Sequence, residues 1–171
     1  VLYRQSEGQS NIQNPIALDV YDSKEMYFIN NQDCESIGLL NHVSAVPTSE
    51  NEQHIDIEVR EPLKGWGVAY TENDYVFYSQ SNGDVWAIDT KEDKKKYVKS
   101  TDFFRDPRGL CYGDGKVYVA DYEKGEVYFM HDNSKVNEKP REFVKIQGAY
   151  GLYCINYDHD YSGWIMMSLV A

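Results

Sequence analysis

Apolar and polar residues alternate along this chain in short runs rather than at a helical spacing. Three such runs, rich in Val, Tyr and Phe, occupy residues 109–112, 116–121 and 126–130. These residue types suit a pleated, half-buried surface. Glycine-containing segments at 113–115 and 122–125 separate the runs, as in β-hairpins. The pattern therefore predicts a small antiparallel meander.

The meander recurs at a regular spacing. Each unit opens with a small residue followed by an aliphatic one, and the aliphatic residues are Leu18, Val68, Leu110 and Leu152. The last two steps are both 42 residues long, and the first is 50. A period near 40–45 residues with several strands per unit is typical of β-propellers. The longer first step contains the polar segment 46–53, which we predict to be a loop insertion.

The sequence thus predicts an all-β propeller with about four blades of four-stranded antiparallel sheet, the last incomplete, in a single domain or propeller segment over residues 1–171. The predicted blades are 15–60, 66–101, 108–147, and 149–171 together with 1–6. The predicted strands of the first three blades are 16–20, 25–30, 35–40, 54–59, 67–71, 75–79, 84–89, 96–100, 109–112, 116–121, 126–130 and 141–146. We expect almost no α-helix.

Two segments carry a family resemblance. Residues 14–30, with Met26-Tyr-Phe-Ile-Asn30 at their end, and residues 107–121, with Val117-Tyr-Val-Ala-Asp121 at theirs, are similar to the pattern Pro-x-x-Leu-Ala-Val-Asp, turn, Ile-Tyr-Trp-Thr-Asp, and share its Pro and Leu. This resembles the YWTD repeat of the low-density-lipoprotein-receptor class B propellers, and the NHL and SMP-30-like propellers use similar phrases. The resemblance implies a propeller, usually of six blades. It also implies that Asn30 and Asp121, which close the motif, serve structure by hydrogen bonding between blades.

Two arrangements of the blades are open. Residues 1–6 match the last strand of a unit, and the chain ends after the second strand of the fourth. In one arrangement the N-terminal strand closes a compact four-bladed ring. In the other, which the end of the chain favours, the 171 residues are an excerpt of a propeller with six or more blades.

The net charge limits the classes of partner, and the cysteine count limits the number of disulfides. The net charge of −11 argues against nucleic acid, whose phosphates need a basic face, and against an anionic membrane surface. No apolar run is long enough for a membrane span. The chain has three cysteines, too few for a disulfide framework. We favour buried free thiols for Cys111 and Cys154, with an inter-strand disulfide or a metal-binding pair as alternatives, and an exposed turn for Cys34.

Metal binding has one candidate segment. Asn156, Asp158, His159 and Asp160 form the densest polar cluster, which offers oxygen ligands for Ca²⁺ or a nitrogen ligand for a transition metal. The ordinary interpretation is a solvated connector, and no cofactor is required. Resemblance to SMP-30-like lactonases implies a channel metal, for which Glu7, Asn14, Asn156 and Asp158 are the candidate ligands. A metal-dependent hydrolase is therefore the alternative function.

Other charged positions favour structural roles. The strand-end residues Asp19, Asn30, Asp89 and Asp121 are expected to serve structure. The lysine-rich run 91–99 is expected to be a solvated turn and edge strand, where lysines discourage edge pairing.

Three residues at equivalent positions suggest a binding face. Trp66, Arg108 and Tyr150 each precede the glycine that opens a predicted first strand, so we expect them together around the propeller axis. Trp, Tyr and Arg are the residues that most often contribute a large share of the binding free energy at protein interfaces. We predict a non-catalytic module, extracellular, that binds a protein or peptide there. A structural subunit that assembles with copies or other chains is a further alternative, and capping of the core is the ordinary interpretation of the three residues.

Overall fold

Twelve β-strands make up the regular secondary structure of the part of the chain that the structure describes. The computed structural model describes residues 15–20, 25–31, 38–49, 52–63, 65–80, 82–91, 94–100, 103–132 and 139–148. The strands are β1 (Pro15–Val20), β2 (Glu25–Asn31), β3 (Gly38–Ser49), β4 (Glu52–Leu63), β5 (Gly65–Tyr70), β6 (Tyr75–Gln80), β7 (Val85–Asp89), β8 (Lys94–Ser100), β9 (Pro107–Gly113), β10 (Lys116–Asp121), β11 (Glu126–His131) and β12 (Arg141–Lys145).

The strands form three four-stranded antiparallel sheets, each in simple sequence order: β1 to β4, β5 to β8 and β9 to β12. The first strand of each sheet contacts the first strand of the next, β1 with β5 and β5 with β9. This is the blade arrangement that the repeat predicts, and we call the sheets blades 1, 2 and 3. The all-β propeller class is confirmed. The predicted fourth blade, residues 149–171 with 1–6, lies outside the described residues.

The turns of blade 3 explain why its strands were predictable. Asp114 and Gly115 both have positive φ, 51° and 67°, as a two-residue type I′ hairpin requires. Gly125, with φ of 65°, closes the next turn, and its N–H donates to the Asp121 carbonyl at 2.9 Å. The edge position predicted for the lysine-rich run is confirmed for β8, the outer strand of blade 2.

The prediction of a loop insertion at 46–53 was wrong. Residues 46–49 and 52–53 extend a long hairpin, in which Val46 pairs with His54 and Pro47 with Gln53. Strand β2 pairs with β3 only as far as Ser44, so the hairpin runs on beyond the rest of the sheet. Proline and polar composition suggested a loop, but a strand with an irregular register accommodates proline, and the register shifts between Pro47 and Ser49.

The hydrophobic core lies between blades rather than inside them. One cluster joins blades 1 and 2 and contains Tyr27, Ile29, Val68, Tyr70, Val76, Tyr78 and Ile88. The rings of Tyr27 and Tyr70 stack across this boundary with centroids 5.3 Å apart. The second joins blades 2 and 3 and contains Ala69, Phe77, Val85, Ala87, Phe104, Leu110, Tyr112, Val117, Val119, Tyr128 and Met130. Since burial of apolar surface drives folding, each blade depends on its neighbour.

Cys111 corrects the expectation of a free thiol. It is 6% exposed and packs with Tyr118, Ala120 and Val127 on the side of blade 3 that faces away from blade 2. It is disulfide-bonded. The low and odd cysteine count argued against a disulfide framework, but one disulfide needs only two sulfurs that packing brings together. Cys34 and Cys154 lie outside the described residues.

Gly67 sets the separation of blades 2 and 3. A Cβ at this position would lie 2.2 Å from the Arg108 carbonyl oxygen and 2.9 Å from the Leu110 nitrogen. The Ser79 hydroxyl accepts a hydrogen bond from the Gly67 N–H at 3.0 Å and donates to the Arg108 carbonyl at 3.2 Å. Only glycine permits this approach, because the atoms in the way belong to backbone.

No helix long and apolar enough to cross a membrane occurs in the described ranges.

We expect Gly67→Ala to lower the free energy of unfolding by about 3 kcal/mol or more, because overpacking against rigid backbone forces the blades apart. Urea denaturation measures the loss. Gly115→Asn is the matched control: its position is open and Asn tolerates positive φ better than most residues, so backbone strain alone should cost about 1 kcal/mol. Equal stability of the two variants would contradict the proposed close approach.

Candidate interaction face

Trp66 and Arg108 meet at the beginnings of neighbouring inner strands. Each is the second residue of its strand, β5 or β9, and the close approach at Gly67 brings the two strand ends together. The Arg108 guanidinium carbon lies 5.2 Å from the centroid of the Trp66 ring. The structure therefore brings together two of the three predicted face residues. Tyr150 lies outside the described residues.

Tyr122 completes the arrangement, and sequence reasoning missed it. Its ring centroid is 4.1 Å from the Arg108 guanidinium carbon, and the residue is 40% exposed. Tyr122 directly follows Asp121, so the signal available was an aromatic residue at the first position after the motif-closing aspartate. We call Trp66, Arg108, Tyr122 and Asp106 the interaction face.

Asp106 fixes the orientation of the guanidinium. Its Oδ2 accepts hydrogen bonds from Nε and Nη2 of Arg108, both at 2.8 Å. The Asp106 carbonyl also accepts from the Tyr122 N–H at 2.9 Å. Asp106 therefore fixes both the Arg108 guanidinium and the backbone of Tyr122, whose ring lies against that guanidinium. Because the Arg108 and Asp106 side chains are 21% and 23% exposed, the pair is partly desolvated and better defined than a surface ion pair.

Asp121 stabilises the segment that contains Asp106 through backbone hydrogen bonds. It is fully buried, and its carboxylate accepts backbone hydrogen bonds from Arg105 at 2.9 Å, Asp106 at 3.2 Å and Lys124 at 3.3 Å. The Lys124 ammonium lies 3.9 Å from the same carboxylate and donates to the Phe103 carbonyl at 2.6 Å. Asp121 thus serves structure, as expected, but its hydrogen bonds tie the linker entering blade 3 to that blade and do not join two blades as the YWTD-like pattern implies.

The bond from blade to blade comes from a different aspartate. Asp19 on β1 accepts a hydrogen bond from the Tyr70 N–H on β5 at 2.8 Å. The expectation of a structural role is thus supported for Asp19 as well. Asp89 caps its own turn by accepting from the Lys91 N–H at 3.0 Å. The side chain of Asn30 falls outside the described part of the structure.

Polar pairs also join blades at the other ends of the inner strands. The buried Asp132 carboxylate accepts from Asn73 Nδ2 at 2.6 Å and from the Tyr112 hydroxyl at 3.0 Å. Burial, and then the hydrogen bond to Asp132, raise the pKa of Tyr112 well above its usual value, so this hydroxyl stays protonated as a donor. The Asn73 contact fastens blade 2 to blade 3, and the Tyr112 contact holds the Asp132 carboxylate in place from within blade 3.

Asp74 lies near this end in an ion pair. The Lys91 ammonium is 2.5 Å from its Oδ2, and the Tyr70 hydroxyl donates to its Oδ1 at 2.8 Å. The hydrogen bond from Lys91 is the largest cause of a lowered pKa for Asp74. Asp74 has φ of 61°, a conformation that Asp and Asn tolerate better than most residues.

The predicted metal ligands lie outside the described residues. They are Asn156, Asp158, His159, Asp160, Glu7 and Asn14. Within the described ranges, no group of three or more His, Cys, Asp or Glu side chains has a geometry suited to a metal ion.

Comparison with known proteins points to the same architecture. A family model for the NHL repeat matches residues 104–127. The fold is similar to a chain of the nidogen/laminin complex, with 12% identity, coverage of 83% of this chain and 52% of that chain, and a TM-score of 0.61. It is also similar to the WD40 β-propeller domain of Doa1 (12% identity, 70% and 38% coverage, TM-score 0.54). Myxococcus xanthus glutaminyl cyclase is similar too (14% identity, 83% and 58% coverage, TM-score 0.54).

These likenesses define the class of fold. The chain is a β-propeller segment that contains an NHL-like repeat. It spans between 38% and 58% of the length of these solved chains. Comparison with curated proteins gave no match. Since the three similar structures include an enzyme, the fold by itself does not determine whether the protein catalyses a reaction.

We expect Asp121→Asn to lower the free energy of unfolding by about 2–3 kcal/mol, because charge-assisted hydrogen bonds are lost and an amide N–H₂ is turned toward backbone donors. Chemical denaturation measures the change. Glu123→Gln is the matched control, since Glu123 is 59% exposed and pairs only loosely with Arg105, at 3.5 Å; its cost should stay below about 0.5 kcal/mol. A loss no larger than the control's would contradict the structural role of Asp121.

Stability should fall in acid partly through Asp74. Because its pKa is lowered on folding, the ionised carboxylate stabilises the fold at neutral pH, and this contribution is lost as the pH falls below about 4. Lys91 is 74% exposed, so solvent screening limits the contribution to about 1 kcal/mol. Asp74→Asn should therefore show a shallower decline in stability between pH 5 and pH 3 in urea titrations. Superimposable profiles would disprove the assignment.

Proposed function

We propose that this chain is a non-catalytic binding module that docks a protein or peptide on the interaction face. The observation that carries the proposal is the guanidinium of Arg108, which lies over both the Trp66 ring and the Tyr122 ring, 5.2 and 4.1 Å from their centroids. Such a stack offers flat apolar surface beside polar edges, the combination that anchors partners at protein interfaces. Tyr122, the most exposed of the three, would make the first contact.

Rigidity supports the same function. The stack stands on two inner strands whose separation is fixed by Gly67 and Ser79, and Asp121 and Asp106 hold Arg108 from below. A side chain that is already ordered loses little conformational entropy on binding. A preorganised aromatic and arginine cluster on a rigid scaffold is therefore better suited to recognition than to capping alone.

The proposed function includes a cellular compartment and a type of propeller. We infer an extracellular protein of YWTD-like type whose other blades complete a propeller of six or more. The disulfide at Cys111 supports an oxidising compartment, where such bonds persist. The motif phrases at 14–30 and 107–121 support the YWTD-like type. Similarity to a chain from the nidogen/laminin complex, a protein–protein assembly, supports a protein partner.

A random-peptide library displayed on phage tests the function directly. Peptides selected on the 171-residue chain should bind in the micromolar range, and calorimetry should show at least tenfold weaker binding to Trp66→Ala and to Tyr122→Ala, about 1.4 kcal/mol or more. Each truncation removes one ring from the Arg108 stack.

The matched control is Phe143→Ala, which removes an aromatic residue that is 47% exposed on β12, away from the face. It should leave the affinity of the selected peptides within twofold. Failure to select any peptide, or selection of peptides that bind the Trp66→Ala/Tyr122→Ala double variant as well as the unaltered chain, would sink the proposal.

A further inference from the structure

The charged residues around the interaction face are paired with one another. Residues 103–124, which supply three of its four members, contain four acidic and four basic side chains. Each acidic side chain lies within ion-pair distance of a basic one from the same segment. The pairs are Asp106–Arg108 at 2.8 Å, Asp114–Lys116 at 2.6 Å, Asp121–Lys124 at 3.9 Å and Glu123–Arg105 at 3.5 Å. The segment is therefore neutral, although the whole chain carries a net charge of −11.

A basic side chain of a partner would meet a position that is already filled. The electron-rich faces of aromatic rings attract cations. Here the Arg108 guanidinium carbon already lies 5.2 Å from the Trp66 centroid and 4.1 Å from the Tyr122 centroid. A second cation placed beside these rings would be repelled by Arg108. The two rings therefore do not favour a Lys or Arg anchor.

An acidic side chain of a partner would have to compete with Asp106. The Asp106 Oδ2 accepts hydrogen bonds from Nε and Nη2 of Arg108, both at 2.8 Å, and both side chains are mostly buried. An acidic group that displaced Asp106 would leave this carboxylate desolvated and without its cation, which is unfavourable. The free energy of docking must therefore come mainly from apolar contact.

The apolar surface that the interaction face offers is flat and ordered. Tyr122 is 40% exposed and Trp66 is partly exposed. The close approach at Gly67 fixes the strand that carries Trp66, and the Asp106 carbonyl holds the backbone of Tyr122. Aromatic rings pack well against a second aromatic ring, and aromatic-lined surfaces also bind the proline rings of extended peptides. Both are rigid groups that lose little conformational entropy on binding.

We propose that the partner segment is uncharged where it meets the interaction face and anchors there through a flat apolar side chain, an aromatic ring or a proline. This inference rests on the proposed binding function and adds the chemical class of the partner. The competing occupant is a basic peptide, which the net charge of −11 would attract at long range. Because salt screens such attraction and leaves apolar contact in place, the salt dependence of binding distinguishes the two.

Peptides selected from the phage library on the 171-residue chain provide the test. We use a synthetic peptide whose binding is weakened in the Trp66→Ala and Tyr122→Ala variants. Calorimetry should give affinities that agree within about twofold between about 50 and about 500 mM NaCl. Replacing its anchor residue with Lys, and separately with Glu, should weaken binding about tenfold or more in each case. A loss of about tenfold over the salt range, or a charged anchor in the selected peptide, would overturn the inference.

Unpairing Arg108 should change the preference of the face. In Asp106→Asn the guanidinium loses its carboxylate, so the Glu-anchored peptide should bind about threefold or more tighter than it binds the unaltered chain, and this gain should disappear at high salt. Glu123→Gln is the matched control, because it unpairs Arg105 at an exposed position and should change the affinity by less than about twofold. No gain in Asp106→Asn would contradict the argument from charge pairing.

The two proposals fail in different ways. Failure to select any peptide, or peptides that bind the Trp66→Ala/Tyr122→Ala double variant unchanged, would end the proposed function and this inference with it. Peptides that bind at the face through charged anchors would end this inference alone. The salt titration uses the unaltered chain and does not depend on the folding of any variant.

Discussion

The close approach of β5 and β9 at Gly67 is the constraint on which the rest of the described structure depends. With no Cβ in the way, the Arg108 carbonyl approaches the backbone of blade 2 closely enough to be bound by the Ser79 hydroxyl. This separation allows Leu110 to pack against small residues of β5 and closes the cluster between the blades. Burial of apolar surface is non-directional and does not by itself fix how the two blades are placed. The close backbone approach that Gly67 permits fixes their separation.

The same constraint produces the interaction face, because it sets Trp66 beside Arg108. Orientation then comes from a relay of polar contacts: buried Asp121 binds the backbone of Asp106, and the Asp106 carboxylate binds the Arg108 guanidinium. A buried carboxylate is costly unless it is fully hydrogen-bonded, and Asp121 meets that condition with backbone donors. The structural aspartate of the repeat thus also acts as a positioning residue for the exposed side chains above it.

Sequence patterns predicted most of blade 3 and two of the four residues of the interaction face, Trp66 and Arg108. Strands β10 and β11 were predicted to within one residue, because Asp114-Gly115 and Gly125 are turn signals with a backbone cause. Strands were predicted at 35–40 and 54–59, but the extension of the β3–β4 hairpin beyond them was missed, because polar residues suit an exposed strand as well as a loop. Tyr122 was missed because its place beside Arg108 depends on a hydrogen bond to Asp106 in the linker that enters blade 3. No spacing along the chain predicts that contact.

Burial at the first strands is decided by the neighbouring blade and not by the strand itself. Leu18, Val68 and Leu110 occupy the same position of the repeat, yet their exposed fractions are 61%, 3% and 5%. Val68 and Leu110 each lie against the preceding blade, blade 1 or blade 2, whereas Leu18 belongs to the first described blade. Each hydrophobic cluster is built from residues of two adjacent blades. The apolar residues of one blade are therefore buried, and stabilise the fold, only when the neighbouring blade packs against them. The cross-boundary bonds at Asp19 and Asp132 matter for this reason, because they act between the units whose packing makes the core.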